Sequence, residues 1–301
     1  MFTISGNLQG YFRWVQKCNG GLKAKERYHP WSVGQSTIGY LQPWLFQKLK
    51  GEFPNVFKVL TKPEALDGLA LNDQLSTCED RSAALEAVAA RLRDDGVLSG
   101  WRNELYPVLT AFNSEPLALV ERAAAVQLGI KAYGVHVNGY VETEKGIELW
   151  VAMRSKSKPT WPGRLDHIVA GGQPHGLSPQ ANVVKECGEE ASIPQELARN
   201  ARPVGAVSYE EEQEMGLKRD VLFCYDLKLP PDFVPEPQDG EVESFQRLPI
   251  EEVANIIATT DKFKDNCNLV IIDFLIRHGF LKPEQEGYLQ LLAGLRWGPC
   301  T

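Results

Sequence analysis

The chain has 301 residues, of which 43% are hydrophobic and 24% are charged. This composition excludes a disordered, collagen-like or disulfide-dense chain, and the length predicts two domains or one large one. The net charge of −7 argues against an overall basic nucleic-acid binder. The charge is unevenly distributed, because residues 1–50 hold seven basic residues and one acid, whereas residues 201–250 hold five basic and eleven acidic residues.

The cysteine pattern and the N-terminal segment predict a cytoplasmic protein that does not bind membranes. The six cysteines are scattered without zinc-type spacing, which is typical of reduced thiols in the cytosol. No apolar run approaches the ~18 residues of a membrane span. Residues 1–18 lack a signal-peptide pattern, and although their shortage of acids resembles a transit peptide, their aromatic residues and few serines favour a folded start.

The first part of the chain is predicted to be rich in helices. The clearest helix covers residues 79–97, because Leu85, Val88 and Leu92 recur at helical spacing, acids crowd its start and Gly96 follows its end. Two more helices are predicted over residues 42–50 and 116–128. We therefore predict a smaller, helix-rich α/β domain over residues 1–128.

After Gly129 the pattern changes to alternating strands, which predicts an α/β domain over residues 129–285 and a C-terminal tail over 286–301. The Pro-rich stretch 230–238 is expected to be an excursion between two strands. The strands are predicted over residues 131–141, 146–154, 166–170, 203–210, 219–227 and 242–248. Helices are predicted over residues 249–258 and 265–278.

The candidate catalytic and metal-binding acids lie in the segment 171–193, GGQPHGLSPQANVVKECGEEASI. Ser178 suits a helix N-cap and Pro179 the first helical position, which predicts a helix over about residues 179–191. Glu186, Glu189 and Glu190 then fall within an arc of about 100° on that helix. Three carboxylates on one face repel each other, and a hard divalent cation such as Mg²⁺ removes that repulsion. The alternative for the three acids alone is a solvated helix face.

The same segment resembles the Nudix box. That pattern is Gly, five residues, Glu, seven residues, Arg-Glu, an apolar residue, any residue, Glu-Glu, any residue, Gly and an apolar residue. The spacing from Gly171 to Ile193 keeps this pattern throughout. There are three departures, since Leu177 replaces the first Glu, Lys185 replaces the Arg and Ser192 replaces the second Gly.

The resemblance extends to one Nudix subgroup and to nearly the whole chain. The stretch VAGGQPHGLSP…NVVKECGEEASIP resembles the Nudix domain found with thiamine pyrophosphokinase in fungi and its stand-alone relatives. The segments 132–141, 151–166 and 225–245 also read like this subgroup, as do TIGYLQPW and GVLSGWRNELYPV nearer the N-terminus. The resemblance implies a Nudix α/β/α sandwich with a mixed sheet, preceded by the smaller N-terminal domain.

The resemblance also implies a metal-dependent cleavage of a diphosphate linkage. Mg²⁺, with Mn²⁺ as an alternative, is the expected cofactor, and Glu186, Glu189 and Glu190 are the expected ligands and catalytic acids. Lys185 keeps the charge of the Arg that orients a catalytic carboxylate in Nudix enzymes but not its planar geometry. Glu243 is the candidate for a further metal ligand, with Glu241 as the alternative.

Substrate-binding residues follow from the same resemblance. The backbone at Gly171 and Gly172 is expected to lie close to the phosphates, and Arg154 and Lys158 of the basic loop to contact them. Trp161 is expected to stack on a flat heterocycle or to pack. His167 and His175 lack metal-ligand spacing, so local hydrogen bonding is expected. The cluster Glu210, Glu211, Glu212 and Glu214 is interpreted as a solvated loop.

The subgroup implies hydrolysis of thiamine diphosphate, and especially of its oxidised analogues, to the monophosphate. Two alternatives stay open: a Nudix hydrolase of nucleoside-diphosphate derivatives such as ADP-ribose, and a non-catalytic Nudix-fold sensor. The sequence does not choose between two interpretations of the N-terminal part, a cover over the substrate pocket or the interface of a homodimer.

Overall fold

The computed structural model describes residues 4, 8–61, 65–158 and 160–298. None of the helices in these ranges is long and apolar enough to cross a membrane. The first part of the chain contains α1 (Gln9–Cys18), α2 (Gly21–Ala24), β1 (His29–Val33), β2 (Ser36–Leu41), α3 (Pro43–Glu52), β3 (Phe57–Leu60), β4 (Gly68–Leu71), α4 (Cys78–Asp94), β5 (Leu105–Val108) and β6 (Ala118–Glu121).

A four-stranded sheet in the order β2-β1-β4-β3 lies at the centre of this part. Helices α3 and α4 share its hydrophobic core, in which Trp31, Phe46 and Leu85 are buried. Helix α4 starts with a capping box, because the Thr77 side chain accepts the N–H of Asp80 and the Asp80 side chain accepts the N–H of Thr77. The helices predicted over 42–50 and 79–97 are confirmed as α3 and α4. The strands β1 to β4 were not predicted from the sequence.

The helix predicted over residues 116–128 is wrong. The chain there forms β6, which pairs antiparallel with β5, followed by a single 3₁₀ turn at Arg122–Ala124. The sequence of this segment is rich in Ala and Leu, which favour helices, but Ala118 and Val120 are buried in the core when the chain is extended. Tertiary packing therefore overrides the local helix preference.

The second part contains β7 (Lys131–Thr143), β8 (Gly146–Arg154), β9 (Leu165–His167), β10 (Val169–Gly172), α5 (Pro179–Ala191), α6 (Gln195–Ala198), β11 (Arg202–Gln213), β12 (Gly216–Lys228), β13 (Val242–Pro249), α7 (Ile250–Thr259), α8 (Asp265–Arg277) and α9 (Tyr288–Gly294). Each strand predicted after Gly129 overlaps an observed strand, and the helices predicted over 249–258 and 265–278 are confirmed as α7 and α8.

These strands form one mixed sheet with helices on both faces. The order is β11-β12-β7-β8-β13, with β10 on β7 and β9 on β8; β12 runs parallel to β7, and the other pairs are antiparallel. Alternate residues of β8 enter different cores: Trp150 packs with α5, whereas Leu149 and Val151 pack with α7 and α8. The predicted α/β/α sandwich with a mixed sheet is confirmed.

Helix α1 packs against the helices at the other end of the chain. The indole of Trp14 is buried and donates to the carbonyl of Ile257 at 2.8 Å, and the hydroxyl of Tyr11 donates to that of Ala254 at 3.3 Å. Val15 and Cys18 lie in the same core as α7, α8 and α9. The first described helix is therefore part of the layer that covers one face of the mixed sheet.

The prediction of a solvated loop for the acidic cluster near residue 210 is wrong for Glu210, whereas Glu214 does lie in an exposed turn. Glu210 lies on β11 and is only 2% exposed. Its carboxylate accepts from Arg219 at 2.9 Å and from Lys25 at 3.2 Å. Arg219 also donates to the carbonyls of Ile38 and Gly129. This buried network ties the mixed sheet to the N-terminal part.

Candidate functional site

Helix α5 is positioned by its first turn. The Ser178 hydroxyl accepts the N–H of Ala181 at 3.2 Å and Pro179 is the first helical residue, as the sequence predicts. One turn later, the buried Asn182 side chain donates to the carbonyl of Gly172 at 2.7 Å. This bond fixes the helix beside the end of β10. The acidic face of α5 consequently lies along the Gly171-Gly172 backbone.

The three predicted acids of α5 lie in different environments. Glu190 is 8% exposed, and its Oε2 accepts the N–H of Ala170 at 2.9 Å. The Glu186 side chain is 12% exposed, whereas that of Glu189 is 53% exposed. Lys185 lies on the same face, with its Nζ 3.3 Å from Glu186 and 2.7 Å from Glu189. Glu186 and Glu190 are therefore the inner carboxylates, and Glu189 is the outer one.

Position 171 has no room for a side chain, because Glu186 occupies the space beside Gly171. A methyl group built on Gly171 would lie 2.6 Å from both Cγ and Oε1 of Glu186, closer than atoms pack. Gly172 is confined on its other side by the N-terminal part, since a methyl group there would overlap the hydroxyl of Tyr106 and lie 3.1 Å from Cζ of Arg122. Two glycines thus let the strand pass between the acidic helix and the N-terminal part.

A further acidic loop joins the site. Glu190, Asp239 and Glu241 each offer a carboxylate oxygen within 4.8 Å of the others. The sequence had given Glu241 as the alternative to Glu243 for the additional metal ligand. Glu243 is exposed and lies at an irregularity in the pairing of β13 with β8, outside this group. Asp239 was missed, although its position in the DGE segment with Glu241 was the available signal.

Cations surround these carboxylates. Lys158 is bonded to Glu241 at 2.6 Å, as the basic loop folds back onto the acidic one. Arg102, from the N-terminal part, lies 3.8 Å from the same carboxylate. Lys158 is therefore at the site, where the sequence predicted it, and its present partner is an acid that could also bind metal.

The inner carboxylates carry the electrostatic signature of a cation site. Burial raises the pKa of Glu190 well above its ordinary value, and the nearby Glu186 raises it further, while the Ala170 N–H opposes both. Burial also raises the pKa of Glu186, against the attraction of Lys185. Carboxylates that are buried side by side favour protonation or a bound cation. Their oxygen donors fit a hard divalent ion such as Mg²⁺.

Arg154 organises the basic loop. Its guanidinium donates to Asp166 at 2.7 Å and to the carbonyls of Trp161 and Thr160 at 3.1 and 2.9 Å. Lys264 lies 3.5 Å from the same Asp166 carboxylate. Three donor groups of Arg154 thus hold the loop and the strand β9 together. The contact of Arg154 with a phosphate stays a prediction. The ring of Trp161 lies near Lys17 and Arg164.

Two residues of the N-terminal part reach the site and were not predicted. Tyr106 is 5% exposed and covers Gly172, and Arg122 lies 5.6 Å above the Tyr106 ring. Arg122 is paired with Glu104 at 2.7 Å, yet 40% of its side chain is exposed. No local signal marks these residues, because the segment around Arg122 reads as a helix and the β5–β6 pair is what brings them to Gly172.

A second polar cluster is buried on the α8 side of the sheet. Nδ1 of His136 lies 3.0 Å from Nδ1 of His167, and the Cys267 thiol donates to Asp166 at 2.8 Å. Burial lowers the pKa of both imidazoles, which keeps the rings neutral. The predicted local hydrogen bonding of His167 is therefore found, with His136 as partner. This network anchors Asp166, the residue that holds Arg154.

Two sequence families match the chain. Residues 132–267 match the family described as NUDIX domain. Residues 10–132 match the family described as Domain of unknown function (DUF4743). The candidate acids of α5 lie inside the first match, whereas Tyr106 and Arg122 lie inside the second.

Curated relatives span nearly the whole chain. Nudix hydrolase 20, chloroplastic, of Arabidopsis thaliana is 48% identical over 301 residues, which cover 99% of this chain and 80% of the relative. Nudix hydrolase 24, chloroplastic, of the same plant is 46% identical over 297 residues, with the same two coverages. The cytoplasmic location predicted from the sequence is contradicted by these relatives, both of which are named as chloroplastic proteins.

Solved structures are more distant. The NUDIX domain of Shewanella oneidensis NrtR, complexed with ADP ribose, is 13% identical and covers 49% of this chain and 88% of that chain, with a TM-score of 0.39. The Ap4A hydrolase of C. elegans, in a binary complex, is 15% identical and covers 49% of this chain and 98% of that chain, with a TM-score of 0.37.

Proposed function

The chain belongs to the Nudix hydrolase family, whose members hydrolyse diphosphate linkages with divalent metals, and we propose that it cleaves thiamine diphosphate or its oxidised analogues. The observation that carries the proposal is that Glu190, Asp239 and Glu241 offer carboxylate oxygens within 4.8 Å of one another, while Glu186 lies against Gly171. The choice of substrate is supported by the subgroup resemblance of the sequence.

In this proposal Glu186, Glu189 and Glu190 hold the cation together with Glu241, in place of the predicted Glu243. Mg²⁺, or Mn²⁺ in its place, neutralises the phosphates and lowers the pKa of a bound water. A water oxygen forms a bond to one phosphorus, the bridging P–O bond breaks, and the monophosphate and orthophosphate leave. A carboxylate of the group accepts the proton of the water.

The surrounding cations have a role in binding. Lys158 and Arg102 lie on Glu241. If the carboxylates held a cation, both side chains would be available to contact the diphosphate. Lys185 positions Glu186 and Glu189 through the contacts described above. Arg154 acts by holding the loop that carries Lys158, and Gly171 and Gly172 let the backbone approach the phosphates.

A substrate panel with Mg²⁺ tests the proposal. Thiamine diphosphate, its oxo and oxy analogues, ADP-ribose and a dinucleoside polyphosphate are assayed for product identity and rate. We expect the thiamine analogues to have the highest kcat/KM. If ADP-ribose were an equal or better substrate, the assignment of the thiamine compounds would be wrong, and binding without turnover would identify a sensor.

Variants of the acids test the site itself. We expect Glu190→Gln to abolish most turnover, because it removes an inner carboxylate, and Glu189→Gln to reduce it. Glu196→Gln is the matched control, since Glu196 is an exposed acid on the neighbouring α6. Equal rates for Glu190→Gln and Glu196→Gln would refute the site. The homodimer stays a prediction, which the oligomeric state in solution tests.

A further inference from the structure

The segment from residue 170 to residue 179 passes three environments in order. The backbone of Ala170 bonds Glu190, and Gly171 lies against Glu186. Gly172 lies against Tyr106 and Arg122 of the N-terminal part. From residue 173 onward the segment lines a pocket. Because successive residues of a strand face opposite sides, Glu186 and Arg122 approach the Gly171-Gly172 backbone from opposite faces of β10, and the pocket-lining segment begins at the next residue.

The pocket lies between the two parts of the chain and has a volume of about 280 Å³. One wall comes from residues 107–116 of the N-terminal part and the other from residues 173–179, with Tyr133 of β7 between them. The backbone N–H of His175 donates to the carbonyl of Leu105 at 2.9 Å and joins the walls. The volume is at the low end of known ligand pockets, so it fits one heterocycle better than a dinucleotide.

The lining of the pocket is mainly apolar, with polar contributions from Asn113, Ser114, Gln173, His175 and Ser178. Its main apolar members are Pro107, Leu109, Phe112, Tyr133, Pro174 and Leu177. The Phe112 ring lies 4.9 Å from that of Tyr133 and 4.6 Å from that of Phe223, which holds it in place. Rings fixed in this way offer a flat ligand a stacking surface without a large loss of conformational entropy.

Arg122 lies against Gly172, the residue directly before the segment that lines the pocket. Only its Nη1 is bonded to Glu104, and a guanidinium carries five N–H donors in a planar fork. Its exposed side chain at the end of the Gly171-Gly172 backbone suits a phosphate that adjoins one bound at the carboxylates. The carboxylates, the guanidinium and the pocket thus border one ten-residue segment, and each suits one part of a diphosphate ester: the reacting phosphate, the second phosphate and the organic group.

We infer that the N-terminal part supplies half of the substrate site: the pocket binds a flat ring of the organic group, and Arg122 binds the phosphate next to it. This inference rests on the proposed function and specifies its substrate class. Leu177 is central to it, because it replaces the first Glu of the Nudix box and its side chain lines the pocket. The departure from the box thus provides an apolar wall for the ring.

Leu177→Glu separates this inference from a simple loss of catalytic power. If Leu177 had only cost the enzyme a carboxylate, restoring Glu would raise kcat. If Leu177 forms the wall of the pocket, Glu replaces an apolar contact with a hydrated carboxylate beside the ring, and binding weakens. Phe112→Ala removes the stacking ring, and Arg122→Gln removes the guanidinium. Leu289→Glu is the matched control, because Leu289 is 72% exposed on the distant α9.

The readouts are calorimetric affinities for thiamine diphosphate and for inorganic pyrophosphate, with Ca²⁺ in place of Mg²⁺, together with KM and kcat for thiamine diphosphate with Mg²⁺. Melting temperatures check that each variant is folded. We expect Leu177→Glu and Phe112→Ala to weaken thiamine diphosphate at least about tenfold and pyrophosphate less than about threefold, as the loss of one ring contact implies. We expect Arg122→Gln to weaken both ligands and Leu289→Glu neither.

Three results would overturn the inference: wild-type protein that binds thiamine diphosphate no more tightly than pyrophosphate, equal losses for both ligands in Phe112→Ala, or an increased kcat in Leu177→Glu. Failure of the proposed function looks different. In that case the wild-type protein hydrolyses no diphosphate, while the two calorimetric affinities still report whether the pocket recognises the ring.

Discussion

Replacement of Gly171 by Ala perturbs the candidate site at one atom. The added methyl group would lie 2.6 Å from Cγ and Oε1 of Glu186, where ordinary contacts begin near 3.4 Å. Gly171 lies within β10, whose pairing with β7 limits backbone movement. The Glu186 carboxylate therefore has to move, by about 1 Å, to restore normal contact distances.

The size of the effect follows from that displacement. A misplacement of about 1 Å in a catalytic group costs on the order of 100-fold in rate. This corresponds to about 2.7 kcal/mol in the activation barrier. Since Glu186 is also a proposed metal ligand, we expect the Mg²⁺ concentration for half-maximal activity to rise in Gly171→Ala. The fold should be retained, because the clash is with a side chain and not with backbone.

The assay compares kcat/KM and the Mg²⁺ dependence with those of Gly188→Ala. Gly188 lies on the same helix, and a methyl group there would meet no atom within 4 Å. We expect the control to keep full activity and to gain about 0.5–1 kcal/mol in stability, as Gly→Ala gives inside helices. If folded Gly171→Ala kept more than a third of the wild-type kcat/KM, Glu186 would not be a positioned catalytic ligand.

Three further predictions concern charge. First, the pKa of Glu190 is raised, so without metal the folded protein holds a proton that the unfolded chain has lost. This group therefore destabilises the fold as pH rises from about 4.5 through its folded pKa. The melting temperature of metal-free Glu190→Gln should rise relative to that of wild type as pH rises, and a constant difference would contradict this. Second, Mg²⁺ should raise the melting temperature of wild type more at pH 8 than at pH 5, and that of Glu190→Gln little at either, as followed by calorimetry. Third, Arg219→Met leaves the buried Glu210 with Lys25 alone and should lower the free energy of unfolding in urea by about 3–5 kcal/mol. The control Arg27→Met breaks an exposed pair with Glu212 and should lower it by less than about 1 kcal/mol. Equal losses would refute the buried network.

The acidic helix of the site was predictable because its information is local. The cap at Ser178, Pro179 in the first turn and the spacing of the three acids lie within 13 residues of one another. These signals depend on backbone chemistry and helix geometry, which are the same in any fold. The alternating patterns of the long strands were predictable for the same reason.

The remaining part of the site depends on tertiary structure. Asp239 and Glu241 reach Glu190 only because the Pro-rich excursion turns back before β13. Tyr106 and Arg122 reach Gly172 only because β5 pairs with β6, whose sequence favours a helix. Glu210 seemed solvated because its positive partners, Lys25 and Arg219, are separated from it along the chain. Pairing partners of this kind are not encoded in the residue pattern of one segment.

The packing of α1 has a consequence for how the chain is made. A ribosome releases Trp14 long before its partner Ile257, which lies 243 residues further on. At about 5–20 residues per second, the apolar side of α1 waits about 12–50 s for the helices that cover it. The layer on that face of the mixed sheet is therefore completed only when α7, α8 and α9 have been synthesised and can pack with α1. A fragment that starts at the second part would leave the place of Trp14 empty and expose the core that α1 seals.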